Sequence, residues 1–259
     1  MEPILSSHVL ESLAAADVLL AFDFDGTLAP IVSDPARAAM RGSTRRLLAQ
    51  AAQLYPCAVI SGRPEADVLR LLGGVTVWYV IGNRALQPPE QAQRLAAVVD
   101  GWRPVLRNRL AGHAGVAIED KGVSLAIHYR HAPDRERARL AIQATATLLQ
   151  NVRVLQGKEA VNLIPADGPD KSVALDRVRS QLGCREALYV GDDASDEDVF
   201  AMGPPVAGVR VGATDDSAAR WYVHDQEEVD ALLERLVTLR KRRALCPERV
   251  RRPGAPTIG

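Results

Sequence analysis

Short apolar runs that stop abruptly at acidic or hydroxyl side chains set the rhythm of this chain. Val18 to Phe22 is apolar throughout and ends at Asp23-Phe24-Asp25-Gly26-Thr27. A continuous apolar run of that length, bounded by a turn residue, reads as a strand buried on both faces. Ala58-Val59-Ile60 runs likewise into Ser61-Gly62-Arg63-Pro64, and Leu188-Tyr189-Val190 into Gly191-Asp192-Asp193-Ala194-Ser195-Asp196. Further strands are expected around Val80, at Val206 to Val211 and at Trp221 to Val223. The last helix, Val229 to Arg240, carries Leu232, Leu233, Leu236 and Leu239 on one stripe, and Lys241-Arg242-Arg243 suits its negative dipole end. Strands alternating with helices predict an α/β fold whose parallel sheet is covered on both faces.

Between these halves the pattern changes. A helical segment from Glu90 to Leu110 aligns Leu95, Val98, Val99, Trp102, Val105 and Leu106. Strand-like runs follow at Gly115 to Glu119 and Val123 to Tyr129, joined by the turn-like Asp120-Lys121-Gly122. A second helix is expected after Pro133, with Leu140, Ile142, Ala144, Leu148 and Leu149 apolar. Strands at Val152 to Leu155 and Ala160 to Ile164 complete an αββαββ unit. The chain therefore divides into a core from 1–86 and 166–243, a smaller α+β unit at 87–165, and a flexible Pro- and Arg-rich tail at 244–259.

The residues at the ends of the runs carry the candidate chemistry. Side chains alternate along a strand, so Asp23 and Asp25 point to one side and Phe24 to the other. The carboxyl ends of strands are where open α/β sheets bind ligands. Adjacent buried carboxylates are costly without a cation or proton between them. Carboxylates delivered from two strands make an oxygen-rich site suited to Mg²⁺. Plainer readings stand beside these: a polar turn at Gly26, an acidic helix start at Asp196-Glu197-Asp198, an ordinary helix cap at Ser61, and a solvated surface Lys171. A lysine in a first helical turn opposes the dipole, which favours a functional role for Lys171.

The order of acid pair, hydroxyl, lysine and acid cluster resembles the haloacid dehalogenase superfamily, through Asp23 to Thr27, Ser61-Gly62, Lys171, and Gly191 to Asp196. The resemblance implies a Rossmann-like three-layer core with a larger cap of the αββαββ type. It implies that Asp23 forms an aspartyl-phosphate, while Asp25 protonates the leaving alcohol and then activates water. Lys171, Ser61, Gly62, Gly26 and Thr27 would surround the phosphoryl group. Asp23, the Asp25 carbonyl and Asp192 would bind Mg²⁺, with Asp193 and Asp196 counted among the metal-binding residues.

Glu119-Asp120-Lys121-Gly122-Val123-Ser124, His128-Tyr129-Arg130 and Gly157-Lys158 further make the chain similar to the trehalose-6-phosphate phosphatase family. That family would use Glu119, Lys121, Arg130 and Lys158 on the sugar, with Arg63 and Asn162 also toward substrate. His128 and Ser124 read equally well as the polar outer face of a sheet. The pattern departs at Gly82-Asn83-Arg84-Ala85, where Gly-x-His-Gly is usual, at Asn162, where a carboxylate is usual, and at Ser172, which replaces a glycine. Phosphatases of sucrose phosphate, glucosylglycerol phosphate or mannosylglycerate phosphate therefore remain alternatives, as do a non-catalytic sugar-phosphate sensor and, less readily, a phosphomutase.

Composition narrows the partners. Thirty-two basic and 32 acidic residues give a formal net charge of zero, so nothing favours nucleic acid or an anionic membrane surface. No run approaches the roughly 20 apolar residues of a membrane span. The three cysteines, Cys57, Cys184 and Cys246, are too scattered for a disulfide framework. A cytoplasmic, monomeric enzyme acting on a small sugar phosphate is the expectation.

Overall fold

The computed structural model describes residues 1–32, 34, 37–82, 89–157, 159–168 and 170–245. The chain opens with β1 (Glu2–Pro3), α1 (Val9–Ala15), β2 (Val18–Phe22), α2 (Gly42–Ala52), β3 (Cys57–Ile60), α3 (Glu65–Leu71) and β4 (Tyr79–Ile81). The inserted region follows as α4 (Pro89–Leu110), β5 (Ala117–Asp120), β6 (Leu125–His128), α5 (Arg135–Ala146), β7 (Val152–Gly157) and β8 (Ala160–Pro165). The chain then returns through α6 (Lys171–Gln181), β9 (Glu186–Gly191), α7 (Glu197–Phe200), β10 (Val206–Val211), β11 (Trp221–Val223) and α8 (Gln226–Leu245).

Seven parallel strands form one sheet in the order β1-β11-β10-β9-β2-β3-β4. From β2 the chain winds outward through β3 and β4, then returns on the other side at β9. The strand order reverses there, and the carboxyl ends of the flanking strands open a crevice at such a point. Phe22 of β2 lies level with Val59 of β3 and Val190 of β9, so the three following segments emerge side by side.

Both faces of β2 are buried, as its unbroken apolar run requires. Leu20 and Phe22 pack with Leu188, Val190, Leu48 and the Leu232-Leu233-Leu236 stripe of α8. Leu19 and Ala21 pack on the opposite face with Tyr189, Leu175, Val178 and Phe200. The two-residue strand β1 and the helix α1 gave no signal in the apolar pattern. The second sheet, antiparallel in the order β5-β6-β8-β7, has its own core of Val99, Trp102, Leu106, Leu125, Ile127, Ile142, Val161 and Leu163 under α4 and α5.

The apolar residues of the second expected helix do not all share its buried face. Ala138, Ile142, Ala146 and Leu149 are buried, whereas Leu140 is 52% exposed and Leu148 53% exposed. The buried set recurs at four, four and three residues, which is one helical face, and Leu140 falls on the opposite one. Ile142→Ala should therefore destabilise the protein by about 2–5 kcal/mol. Leu140→Ala should change stability by less than about 0.5 kcal/mol. Urea denaturation of both variants checks the pair; equal losses would contradict the observed helix phase.

Candidate active site

Asp23 leaves β2 still tied to its neighbour, its N–H donating to the Val190 carbonyl at 2.8 Å. The loop then folds back tightly: Gly26 N–H bonds the Ala29 carbonyl, and the Leu28 and Ala29 N–H groups bond the Phe24 carbonyl. Gly26 has φ +81°, and a Cβ there would lie 1.9 Å from Asp192 Oδ2. Glycine is needed at this position both for the left-handed backbone and for the approach of that carboxylate. Outside the sequence reading, Gln226 steadies the loop from α8 by donating Nε2 to the Gly26 carbonyl at 2.6 Å.

The centre is organised by Lys171, the first residue of α6, whose cap is the Asp170 carboxylate. Lys171 Nζ lies 2.9 Å from Asp23 Oδ1 and 2.6 Å from Asp196 Oδ1, and it is only 2% exposed. It is thus no solvated surface lysine. Asp196 also accepts from Tyr189 Oη at 2.7 Å and from Asp193 N–H at 2.9 Å. Both Asp196 oxygens are committed to fixing the site. Asp192 differs, because its buried Oδ1 has no hydrogen-bond partner among the described residues.

Asp23, Asp192 and Asp196 bring carboxylate oxygens within 4.8 Å of one another, a spacing that suits a divalent cation. Asp193 stands apart from this cluster and accepts from the Ala194 N–H to cap the turn at Ala194–Asp196. The Asp25 side chain also stands apart. Arg63 grips both of its oxygens, Nε to Oδ2 at 2.6 Å and Nη2 to Oδ1 at 2.7 Å, above the Phe24 ring. Ser61 is buried at the end of β3, and its hydroxyl accepts from the Arg63 N–H at 3.2 Å. Thr27 is fully buried with a hydroxyl that has no partner among the described residues.

The candidate sugar-reading residues lie on the second sheet. Cross-strand register places Glu119, Ala126 and Asn162 in one row on the face away from α4 and α5. Glu119 meets His128 Nε2 at 2.8 Å and Lys121 Nζ at 3.8 Å. Arg130 is paired with Glu159 at 3.0 Å, and Arg135 holds the same carboxylate. Lys158, the Asn83-Arg84-Ala85 stretch and Cys246 lie outside the described residues.

Tyr189 and Gln226 are the supporting residues that sequence reading missed. Tyr189 had one usable signal, a phenol on a buried strand two residues before Gly191, since such a hydroxyl needs a partner. Among the described residues, no helix is long and apolar enough to cross a membrane.

Comparison with known proteins agrees with this geometry. A family model described as trehalose-phosphatase matches residues 21–225. The chain belongs to the trehalose-phosphatase family. It is 36% identical over 218 residues to the trehalose-phosphate phosphatase of Mycolicibacterium paratuberculosis, covering 78% of this chain and 56% of that one. It is 35% identical over 229 residues to that of Mycobacterium tuberculosis, covering 80% and 58%. The chain thus spans a little over half the length of these curated relatives. The fold matches the C-terminal domain of the C. albicans trehalose-6-phosphate phosphatase with a TM-score of 0.76 at 22% identity, covering 92% of this chain and 98% of that one. The architecture is the haloacid dehalogenase fold expected from the motifs, and the separate antiparallel sheet fits a cap.

In this member of the trehalose-phosphatase family, the buried acids are far from their ordinary behaviour. Burial pushes Asp23 up to about 7, with Lys171 opposing and Asp196 adding to the rise. Burial together with the charges of Asp23 and Asp196 pushes Asp192 up to about 8. For Lys171, burial pulls downward, but Asp196 and Asp23 outweigh it and keep the ammonium charged.

A raised carboxyl pKa means that the folded protein holds protons the unfolded chain releases. That stabilisation is complete below about pH 4. It is lost as pH climbs through about 7 and 8. Without added cation, Tm should fall from pH 5 to pH 8.5. A divalent cation should restore much more at pH 8.5 than at pH 5, because it takes over from the protons. Asp192→Asn should shrink that cation effect. Calorimetry showing equal cation effects at both pH values would remove this cluster as the binding site.

Proposed function

We propose that this chain hydrolyses trehalose 6-phosphate to trehalose and phosphate, with Asp23 as nucleophile and Mg²⁺ as the cation. The observation that carries the reading is the buried Asp23–Lys171 pair beside the unpartnered oxygen of Asp192. An all-oxygen donor set with a desolvated, unsatisfied carboxylate oxygen fits a hard divalent cation. Asp23, Asp192 and the Asp25 backbone carbonyl would hold it. When bound, it supplies positive charge that neutralises the phosphate oxygens.

Asp23 attacks phosphorus through a carboxylate oxygen, and the new O–P bond forms as the bond to the sugar oxygen breaks. Asp25 gives its proton to the departing alcohol. It then takes a proton from the water that attacks the aspartyl-phosphate, which returns Asp23 and releases phosphate. Lys171 and Ser61 hold the phosphoryl oxygens, while Asp196 and Tyr189 keep Lys171 aimed at Asp23. Arg63 occupies both oxygens of Asp25, so the two must part and Asp25 must take up a proton from solvent before it can donate. An arriving phosphate competes for the guanidinium and frees the acid.

The second sheet acts as the cap that reads the leaving group and excludes water. Glu119 and Asn162 share its helix-free face, with Lys121, Arg130 and Lys158 as the further sugar-facing groups. A second reading keeps the same centre and changes the sugar. Asn162 stands where a charged acceptor would strengthen hydroxyl recognition, and this favours testing sucrose, glucosylglycerol and mannosylglycerate phosphates alongside.

Phosphate release with Mg²⁺ across that panel should give the highest kcat/KM for trehalose 6-phosphate. A better disaccharide phosphate would move the function while leaving the chemistry. Asp23→Asn should abolish turnover with the fold intact by circular dichroism; full activity would exclude Asp23 as nucleophile. Glu119→Ala should depress trehalose 6-phosphate turnover far more than p-nitrophenyl phosphate turnover. Equal losses would assign Glu119 a structural role.

A further inference from the structure

Arg153 belongs to none of the motifs, yet it joins the second sheet to the catalytic loops. It lies on β7 in register with Ile164 of β8. The alternate residues Val152, Val161 and Leu163 are the ones packed under the helices, so Arg153 projects from the opposite face, the one that carries Glu119 and Asn162. Its Nη1 reaches Asp198 Oδ2 at 2.6 Å and Asp170 Oδ2 at 3.5 Å. Asp170 accepts from Ser172 N–H at 2.7 Å through its other oxygen and so caps α6, which begins at Lys171. Asp198 stands in the first turn of α7, two residues beyond Asp196. All three side chains are largely covered, at 28% exposed for Arg153, 29% for Asp198 and 23% for Asp170.

We propose that Arg153 is a positioning and specificity-determining residue that seats the helix-free face of the second sheet on the two loops carrying Lys171 and Asp192. The substrate in this proposal rests on the function proposed above; the contact itself does not. Both aspartates meet the one guanidinium, so losing it removes a link from the sheet to each of the two segments. Only a substrate whose leaving group touches the second sheet needs that seating. A small aryl phosphate reads the core alone. The contact is partly solvent-exposed, so salt weakens it.

Kinetics of the full chain, of Arg153→Gln and of Arg153→Lys separate these roles. With trehalose 6-phosphate, Arg153→Gln should lose about tenfold in kcat/KM, mostly through KM. Turnover of p-nitrophenyl phosphate should stay nearly unchanged, and Arg153→Lys should recover part of the loss. Added salt should raise KM for the disaccharide phosphate in the natural chain and much less in Arg153→Gln. Amide exchange across residues 152–157 should quicken in Arg153→Gln and return toward normal in Arg153→Lys. Equal losses on both substrates, or none on either, overturn the proposal. If the natural chain turns over the aryl phosphate but not trehalose 6-phosphate, the substrate reading fails, and amide exchange decides on Arg153. Unchanged exchange in Arg153→Gln then overturns the seating role.

Discussion

Lys171 faces more negative charge than one ammonium balances. Asp23, Asp192 and Asp196 hold oxygens within 4.8 Å of one another, and Lys171 is buried against two of them. With every carboxylate ionised, two negative charges stay uncompensated in a place with little water. Desolvation makes that state expensive, so the cluster must take up protons or a divalent cation. The excess matches the charge of one such ion. The closeness of the loops follows from the same requirement, because a Cβ at Gly26 would fall on Asp192 and one at Gly191 would fall 2.3 Å from the Asp196 carboxyl carbon.

Hydrogen bonding then separates acids that look alike in the chain. Asp196 accepts from Lys171, Tyr189 and the Asp193 backbone, which fixes it as the anchor of the lysine. Asp193 is turned back to cap a short turn. Asp192 retains an unmatched buried oxygen. Three neighbouring aspartates thus take three different tasks: a cap, an anchor and an open acceptor. The division rests on rotamer and partner, neither of which residue type specifies.

That is also where legibility from sequence ended. Strands β2 and β3 and the Ala187 to Val190 part of β9 were readable because a strand buried on both faces has an unbroken apolar run. The closeness of Asp23, Lys171 and Asp192 agrees with strand ends and motif order. The Arg63 grip on Asp25, the Tyr189 bond to Asp196 and the reach of Gln226 to Gly26 were not readable. The last spans 200 residues of chain, and no local pattern encodes which polar tip meets which carbonyl. Which apolar residues of α5 are buried is a matter of helix phase: two residues apart is about half a turn, so Leu140 cannot share a face with Ile142.

The two sheets divide the problem physically. The parallel sheet buries charge, and among the described residues the polar contacts of Asp23 and Lys171 come from its strands, their loops and α6. The antiparallel sheet presents Glu119, His128 and Asn162 on one face with no such burial, where a single substitution has a small structural cost. Charged replacement in the core leaves an unpaired ion in low dielectric, whereas replacement on the exposed sheet face exchanges one solvated group for another. The centre is therefore constrained by electrostatics more tightly than the exposed sheet face, where Glu119 meets His128 and Lys121 in contact with solvent. A substitution on that face therefore leaves the buried charge balance of Asp23, Lys171, Asp192 and Asp196 unchanged.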